Sequence, residues 1–252
     1  MILELSQLSL VYQSAEGETE ALRDVSFGVE EGEFVSLLGP SGCGKSSLLK
    51  LMAGLEKPTG GEIRLDGEPI EGCGGRVGYM PQRDALFPWR SVWGNVSLAP
   101  ELRGERDGGI YARLHALLEQ YGLGEFESQS PEALSGGMRQ RVALIRTLGA
   151  SPRLLLLDEP FSALDAQTRL SVGEDVRRII RAEGLTAVLV THDIGESVAL
   201  SDRVIVLTER PGRVLSVHDL GELKALPPHE RRSHPLYAAI FDRIGKELRV
   251  LV

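Results

Sequence analysis

The sequence predicts an α/β fold: a mostly parallel sheet, an antiparallel β section near the N-terminus and a helical insertion. Two short apolar runs, Phe34–Leu38 and Leu154–Leu157, have the composition of parallel strands that are buried on both faces. Helical periodicity follows the second run at Ala166–Ala182. Strands that alternate with helices imply right-handed crossovers and therefore parallel pairing.

The segments before residue 82 contain most of the predicted strands. We expect strands at Leu3–Tyr12, Leu22–Val29, Phe34–Leu38, Glu62–Leu65 and Arg76–Tyr79, and a helix from Ser47 to Ala53. The first two segments alternate apolar and polar residues, which is typical of antiparallel strands with one covered face. Turn residues occupy 57–61, where Pro, Thr and two Gly follow a lysine.

The segment from about Gln82 to Thr147 has mainly helical periodicity, and we interpret it as an insertion. Predicted elements from here onward are helices at Ile110–Tyr121, Met138–Leu148, Ala166–Ala182, Ile194–Leu200 and Leu236–Leu248, and strands at Leu154–Leu157, Ala187–Thr191 and Arg203–Leu207. The predicted domains are an α/β core of residues 1–81 and 151–218, which includes the antiparallel β section, a helical subdomain of 82–150 and a C-terminal extension of 219–252. That extension is interpreted either as a structural cap or as a subunit contact.

Composition excludes several classes of protein. The chain has 252 residues and a formal net charge of -8, which disfavours a sequence-independent grip on nucleic acid. No apolar run is long enough to span a bilayer, and the N-terminus lacks the pattern of a secretory signal, so we expect a cytoplasmic location. The two cysteines, Cys43 and Cys73, are too few for a disulfide framework and are expected to be free thiols.

The segment Gly39-Pro-Ser-Gly-Cys-Gly-Lys45-Ser46 fits the phosphate-loop pattern and lies between a predicted strand and a predicted helix. In such a loop, backbone N–H groups and the helix N-terminus bind phosphate, while the lysine bridges the β- and γ-phosphates and the Ser46 hydroxyl binds Mg²⁺. The alternative is a glycine-rich turn that binds nothing. Cys43 is either a small residue that fits the loop or a reactive thiol with a lowered pKa at a helix N-terminus.

Two carboxylates, Asp158 and Glu159, follow the apolar run Leu154–Leu157. The carboxyl ends of parallel strands are where open α/β sheets bind their ligands. We therefore expect Asp158 to hold Mg²⁺, and Glu159 to orient and deprotonate the water that attacks the γ-phosphate. An acidic surface turn is the alternative. His192 also follows a predicted strand, but a lone histidine more often has a structural role than a catalytic one.

The segment from Leu134 to Arg141, Leu-Ser-Gly-Gly-Met-Arg-Gln-Arg, lies between Lys45 and Asp158. With it, the sequence resembles the ATP-binding-cassette (ABC) ATPases over nearly its full length. The resemblance implies that Tyr12 stacks on adenine, that Gln82 is a Mg²⁺ ligand and that His192 acts at the γ-phosphate. The implied nucleotide-binding residues are Tyr12, Gly39, Pro40, Ser41, Gly42, Cys43, Gly44, Lys45, Ser46, Ser47 and Gln82. The implied signature motif is Ser135, Gly136, Gly137 and Met138, and the implied D-loop is Ser162, Ala163, Leu164 and Asp165.

The resemblance also implies a dimer. Ser135, Gly136, Gly137 and the following helix N-terminus form a second anion site. In the family, this site binds the ATP held by the phosphate loop of a second copy, and hydrolysis loosens the pair. Here Met138 replaces the family's usual glutamine. Such signatures, together with Phe87-Pro-Trp89 and Arg210-Pro-Gly-Arg213, are similar to those of importer subunits for nitrate, sulfonate and taurine.

The partners that the resemblance implies are transmembrane permease subunits and, indirectly, an extracytoplasmic substrate-binding protein. The chain would lie peripherally on the cytoplasmic face of the plasma membrane, with the region Gln82–Trp93 as its contact surface. An equally good interpretation of Trp89 and Trp93 is that they pack inside the domain and do not contact a partner. Two other functions are a soluble family ATPase that acts on nucleic acid or ribosomes, and a regulatory module that binds ATP without hydrolysing it. The acidic charge disfavours the first, and the presence of Glu159 and His192 disfavours the second.

Overall fold

The computed structural model of the chain describes residues 1–15, 17–70, 72 and 75–250. The chain divides into two compact units, Met1–Gly74 with Ile180–Val252, and Gly75–Ile179. We name them unit 1 and unit 2. The α/β class predicted from the sequence is confirmed, because parallel strands and helices alternate along the chain. The predicted subdomain limits at residues 81, 150 and 218 stay predictions.

The elements are numbered in chain order. Unit 1 begins with β1 (Leu3–Ser14), β2 (Gly17–Val29), β3 (Phe34–Leu38), α1 (Lys45–Met52), β4 (Gly60–Leu65) and β5 (Glu68–Pro69). Unit 2 contains β6 (Val77–Met80), α2 (Val92–Val96), α3 (Leu98–Leu102), α4 (Gly108–Gln120), α5 (Gly136–Leu148), β7 (Leu154–Asp158) and most of α6 (Ala166–Ala182). Unit 1 then resumes with β8 (Thr186–Val190), α7 (Ile194–Leu200), β9 (Arg203–Leu207), β10 (Val214–Asp219), α8 (Pro228–Ser233) and α9 (Pro235–Val250). Short 3₁₀ turns occupy Gly124–Phe126, Pro131–Ala133 and Gly221–Ala225.

Unit 1 contains an antiparallel group of strands and a mainly parallel one. The antiparallel group has the order β2-β1-β4-β5. In the other group, β9, β3 and β8 run parallel, and β10 pairs antiparallel with β9 at the edge. Every residue of β3 and β8 is buried, as expected for parallel strands that are covered on both faces. This arrangement places the residues after β3 and β8 at the same edge, since the two strands point the same way.

In unit 2, β6 pairs parallel with β7, in the register Val77 with Leu154. Helix α5 packs with its buried face against β6 and α2. The predicted insertion differs from the structure in one respect: residues 81–91 contain no helix, and helices begin only at Val92. The reason is that this stretch contains two prolines and is held by side chains. The Asn95 amide donates to the Phe87 carbonyl oxygen at 3.1 Å and accepts from its N–H at 2.7 Å.

The C-terminal tail, residues 220–250, packs against the rest of unit 1. Its predicted final helix is confirmed, and as α9 it is longer than expected. Ile240 and Ile244 of α9 share an apolar cluster with Val198 of α7 and with Val204 and Val206 of β9. These contacts support the interpretation of the tail as a structural cap.

Candidate active site

The phosphate loop, Gly39–Ser46, joins β3 to α1 and requires glycine at particular positions. Gly42 and Gly44 have φ angles of 77° and 103°, which side chains rarely tolerate. A Cβ on Gly44 would also lie 2.7 Å from Leu22 Cδ2 and 2.9 Å from the Ala21 carbonyl oxygen. Glycine is therefore needed here both for backbone conformation and for space, and the neighbouring strand β2 fixes the shape of the loop.

The start of helix α1 is suited to binding an anion. Among the described residues, no side chain caps this helix, whose N-cap is Gly44, and its first turn has no acidic residue. The N–H groups of that turn lack partners within the helix, and the helix dipole makes this end partly positive. Ser41 and Ser46 are exposed on the loop. A phosphate group is the ligand that such an arrangement binds.

Lys45 places its charge inside the loop. Its Nζ donates to the carbonyl oxygens of Gly39 at 2.7 Å and Pro40 at 2.8 Å. The residue is only 6% exposed. Backbone acceptors thus hold the ammonium at the mouth of the loop.

Cys43 is a free thiol, and the hypothesis that its pKa is lowered is wrong. The residue is 1% exposed, and burial raises the pKa of the thiol although nearby Lys45 opposes the shift. The cause is desolvation, which disfavours the thiolate. Cys43 therefore has the simpler of its two interpretations, a small residue that fits the loop. Cys73 lies outside the described residues.

We expect Cys43 to react slowly with thiol reagents, since both the low exposure and the raised pKa reduce the available thiolate. In a Cys73→Ser background, a chromogenic disulfide reagent at pH 8 should modify the folded protein at least about tenfold more slowly than the unfolded protein. Stopped-flow absorbance measures both rates. Rapid stoichiometric labelling of the folded protein would contradict this expectation.

Tyr12 on β1 lies beside the first turn of α1. Its hydroxyl donates to Glu56 Oε2 at 2.6 Å and lies 2.9 Å from Ser47 Oγ. Partial burial and the Glu56 carboxylate raise the pKa of Tyr12. The ring is still 39% exposed. The structure thus brings Tyr12 and Ser47 together next to the phosphate loop, and stacking of Tyr12 on adenine stays a prediction.

His192 is exposed between two anchored neighbours after β8. Asp193 Oδ1 accepts from the Glu196 N–H at 3.0 Å and so caps α7. The Asp193 N–H donates to Thr191 Oγ1 at 3.0 Å, and that hydroxyl donates to Glu196 Oε2 at 2.7 Å. Both residues that flank His192 are therefore fixed to the start of helix α7.

In unit 2, Asp158 ends strand β7 as a buried carboxylate, 7% exposed. The Tyr79 hydroxyl of β6 donates to Asp158 Oδ2 at 3.2 Å. Burial, together with the negative Asp158, raises the pKa of Tyr79 to about 12, so this hydroxyl stays protonated and remains a donor. Reasoning from the sequence missed Tyr79. The available signal was an aromatic residue with a hydroxyl group at the end of the predicted strand Arg76–Tyr79.

Glu159 joins Gln82 and Ser162 in one hydrogen-bonded cluster. Gln82 Nε2 donates to Glu159 Oε2 and to Ser162 Oγ, both at 3.3 Å. Ser162 Oγ in turn donates to the Glu159 carbonyl oxygen at 3.0 Å. Glu159 has a φ of 42°, a conformation that is uncommon for residues other than glycine and that concentrates at functional sites. The structure thus brings together three residues for which the sequence predicted separate roles.

The signature segment begins helix α5. Ser135 is its N-cap, and Ser135 Oγ accepts from the Met138 N–H at 3.3 Å. A Cβ on Gly137 would lie 2.8 Å from Thr168 Cγ2, and one on Gly136 would lie 3.1 Å from Leu164 Cδ2. A side chain on either glycine would therefore crowd its neighbours, because the D-loop and α6 pack closely against this helix start.

A cavity of about 270 Å³ opens at this helix start. Its lining includes Ser135, Gly137, Met138, Arg141, Gln167 and Thr168. Asp165 of the D-loop accepts from the N–H groups of Gln167 at 3.1 Å and Thr168 at 3.0 Å, which fixes the wall formed by α6. A serine hydroxyl and a helix N-terminus thus flank a space that can accept an anionic group. The charge of Arg141 in the lining is compensated by Asp175, whose Oδ2 lies 2.7 Å from Arg141 Nη2.

Known sequences that are similar to this chain are described as ATP-binding proteins of transporters. The profile of the family described as ABC transporter matches residues 22–162. The chain is 43% identical over 250 residues to an uncharacterised ABC transporter ATP-binding protein of Bacillus subtilis, covering 99% of this chain and 96% of that protein. It is 44% identical to an aliphatic sulfonates import ATP-binding protein of Xanthomonas axonopodis, covering 86% of each. It is also 44% identical to a taurine import ATP-binding protein of Jannaschia, covering 79% of this chain and 74% of that one.

Solved structures with the same fold include two cassettes. A dimeric ATP-binding cassette in a post-hydrolysis state with ADP and Pi superposes with a TM-score of 0.74 at 31% identity, covering 87% of this chain and 99% of that one. The cbiO1 subunit of Clostridium perfringens, part of the cbiONQ transporter complex, gives a TM-score of 0.78 at 27% identity, with coverages of 97% and 98%.

Proposed function

We propose that this chain, which belongs to the ABC transporter family and hydrolyses ATP, powers the import of a small organic sulfonate. The ATP-binding part rests on one observation above others. The phosphate loop presents a helix start without a side-chain cap among the described residues, with Lys45 held at its mouth. The sulfonate part rests on the taurine and aliphatic-sulfonate relatives.

In the proposed reaction, Lys45 and the N–H groups of Gly39–Ser46 bind the β- and γ-phosphates. Glu159 takes a proton from the attacking water, and Gln82 holds the Glu159 carboxylate in position. His192 acts beside the γ-phosphate. Geometry within unit 2 supports the role of Glu159, because the Gln82 amide donates to its carboxylate at 3.3 Å and so orients it.

Mg²⁺ fits the predicted ligands. The Ser46 hydroxyl, the Gln82 amide and the Asp158 carboxylate are oxygen donors of the kind that Mg²⁺ prefers. Asp158 is buried and oriented by Tyr79, as a metal-binding carboxylate commonly is by a neighbouring donor. Bound Mg²⁺ would supply neutralising charge to the phosphate oxygens.

A second copy of the chain completes the proposed site. Ser135, Gly136, Gly137 and Met138 of one copy would bind the ATP held by the phosphate loop of the other. The cavity beside Ser135 at the start of α5 supports this proposal, as does the dimeric form of a solved cassette of similar structure. ATP then forms part of the interface, and its hydrolysis separates the two copies.

Permease subunits in the membrane are the other proposed partners, and a substrate-binding protein would act through them. No helix among the described residues is long and apolar enough to cross a bilayer. Trp89 is 75% exposed, and its ring lies 4.9 Å from that of the half-buried Phe87, so Trp89 presents an apolar surface suited to docking. Trp93 instead stacks on His115 at 3.7 Å and is a packing residue. The chain would lie on the cytoplasmic face of the membrane.

Uptake measurements test the transported class. Deletion of the gene in its host should abolish uptake of radiolabelled taurine or ethanesulfonate while uptake of sulfate continues. Wild-type protein should restore this uptake, and a Glu159→Gln variant should not. Unaltered uptake of both sulfonates in the deletion strain, with the purified chain still hydrolysing ATP, would contradict the sulfonate assignment and leave the ATPase assignment intact.

A further inference from the structure

The C-terminal tail, residues 220–250, contacts the start of the helix that follows His192. The Tyr237 hydroxyl on α9 donates to the Gly195 carbonyl oxygen in α7 at 3.3 Å. A Cβ on Gly195 would lie 3.2 Å from that hydroxyl and 3.0 Å from Asp193 Oδ1. Helix α9 is therefore in direct contact with the first turn of α7, whose N-cap Asp193 is the next residue after His192.

Arg231 holds the opposite end of the same helix. It has no exposed surface, and its Nη1 donates to the carbonyl oxygens of Ser201 and, at 3.3 Å, of Val198. Carbonyl groups in the last turn of a helix lack partners within the helix, so the guanidinium supplies the missing donors. Its Nε and Nη2 donate to the tail itself, to Leu226 at 2.9 Å and Lys224 at 3.1 Å. One buried side chain thus joins α7 to the tail.

The tail also packs against other elements of unit 1. Ile240 and Ile244 are buried in the apolar cluster with Val198. Near the end of α9, Glu247 Oε2 accepts from Ser216 Oγ at 2.5 Å and lies 2.9 Å from His218 Nε2. Burial opposes ionisation of Glu247, but these two contacts outweigh it and lower its pKa. These contacts join α9 to β10. The helix that contacts α7 through Tyr237 is therefore itself held in place.

We infer that the tail positions His192 for hydrolysis, with Tyr237 and Arg231 as the positioning residues. His192 is bonded in the chain to Thr191 and Asp193, and both are hydrogen-bonded to Glu196 in the first turn of α7. The imidazole therefore moves with α7, and α7 is held at one end by Tyr237 and at the other by Arg231. This inference rests on the proposed role of His192 at the γ-phosphate.

The inference is tested with Tyr237→Phe, which removes one hydroxyl, and Arg231→Met, which removes the guanidinium but keeps much of the side-chain volume. Neither residue lies in the phosphate loop. We expect kcat for ATP hydrolysis to fall about threefold in Tyr237→Phe and about tenfold in Arg231→Met, corresponding to one and to several lost hydrogen bonds. The Kd for ATP should stay within about twofold of wild type.

A double-mutant cycle separates positioning from a general loss of structure. In a His192→Ala background, measured by single turnover so that low rates are accessible, neither substitution should reduce the rate further. A merely structural effect would reduce it by the same factor in both backgrounds. Tyr111→Phe is the matched control, because the Tyr111 hydroxyl donates to the Glu105 carbonyl oxygen at 3.1 Å in unit 2. It should leave kcat unchanged.

The outcomes separate the inference from the proposed function. The positioning role would be overturned if each substitution reduced the rate equally in both backgrounds. It would also be overturned if kcat were unchanged in Tyr237→Phe and in an Arg231→Met protein that melts cooperatively. If Arg231→Met does not fold, Tyr237→Phe decides the question alone. A wild-type kcat in His192→Ala would instead overturn the proposed role of His192, and the positioning role with it.

Discussion

Replacement of Lys45 by alanine should weaken ATP binding by about a hundredfold or more. The ammonium is the one side-chain cation in the phosphate loop, Gly39–Ser46, and hydrogen bonds to charged groups contribute about 1.5–3 kcal/mol each. Loss of contacts to two phosphates therefore amounts to at least about 3 kcal/mol, or about two or more powers of ten in Kd. Titration with a fluorescent ATP analogue at low temperature measures the effect.

The control for this variant is Lys57→Ala, which removes an exposed lysine from the turn after α1 and should leave Kd unchanged. Lys45 also donates to the carbonyl oxygens of Gly39 and Pro40, so a modest loss of thermal stability should accompany the substitution. Wild-type affinity in a folded Lys45→Ala protein would contradict the assignment of the phosphate loop.

The buried parallel strands were predictable because their signal is local. Phe34–Leu38 and Arg203–Leu207 were predicted with the boundaries that the structure shows. A strand that is covered on both faces needs apolar residues throughout, and polar residues mark its ends. The long amphipathic helix Ala166–Ala182 was predicted equally well, because many turns of periodicity support it.

The starts of two other helices, α4 and α5, were predicted less well. The structure begins α4 at Gly108 and α5 at Gly136, each two residues before the predicted start. Glycine pairs have low helix propensity and add nothing to the apolar periodicity, so the predicted helices began after them. Asp107 and Ser135 override that preference by capping the helices: Asp107 accepts from the Gly109 N–H at 2.9 Å. A capping residue before a glycine pair was the signal that could have corrected these boundaries.

Short elements were missed because distant residues stabilise them. Helix α2 has five residues, and its first N–H groups donate to Gln129 and Glu127, more than thirty positions away. Strand β10 exists through its pairing with β9, and its outward residues Leu215 and Val217 are exposed. Neither element has enough local periodicity to be recognised without its partner.

Several site contacts lie beyond what motifs can show. The motifs identified Gln82, Glu159 and Ser162 separately, but their mutual hydrogen bonds depend on how the turn after β7 folds. Tyr79 belongs to none of the motifs and became visible only once β6 and β7 were paired. The burial that raises the pKa of Cys43 is likewise a property of the folded protein.

A second large effect is expected for Glu159→Gln. Glutamine has the shape of glutamate, and its side-chain oxygen can still accept from Gln82 Nε2. It cannot, however, take a proton from water. Removal of a general base costs about 10²–10⁴-fold in rate, so we expect kcat to fall about a thousandfold while Kd for ATP is retained. Rapid-quench measurement with radiolabelled ATP gives the rate, and Glu125→Gln, on an exposed turn of unit 2, serves as the control.

Glu159→Gln should also accumulate as a dimer, since ATP that is bound and not cleaved keeps the proposed interface of two copies together. Light scattering after size-exclusion chromatography in Mg-ATP should show twice the mass of the chain, and exchange into Mg-ADP should return the monomer. Adding Ser135→Ala to Glu159→Gln should weaken this dimer, because Ser135 would contact the partner's nucleotide. Because the dimer and the rate depend on different contacts, a monomeric Glu159→Gln that has lost hydrolysis would contradict the shared site while retaining Glu159 as the base.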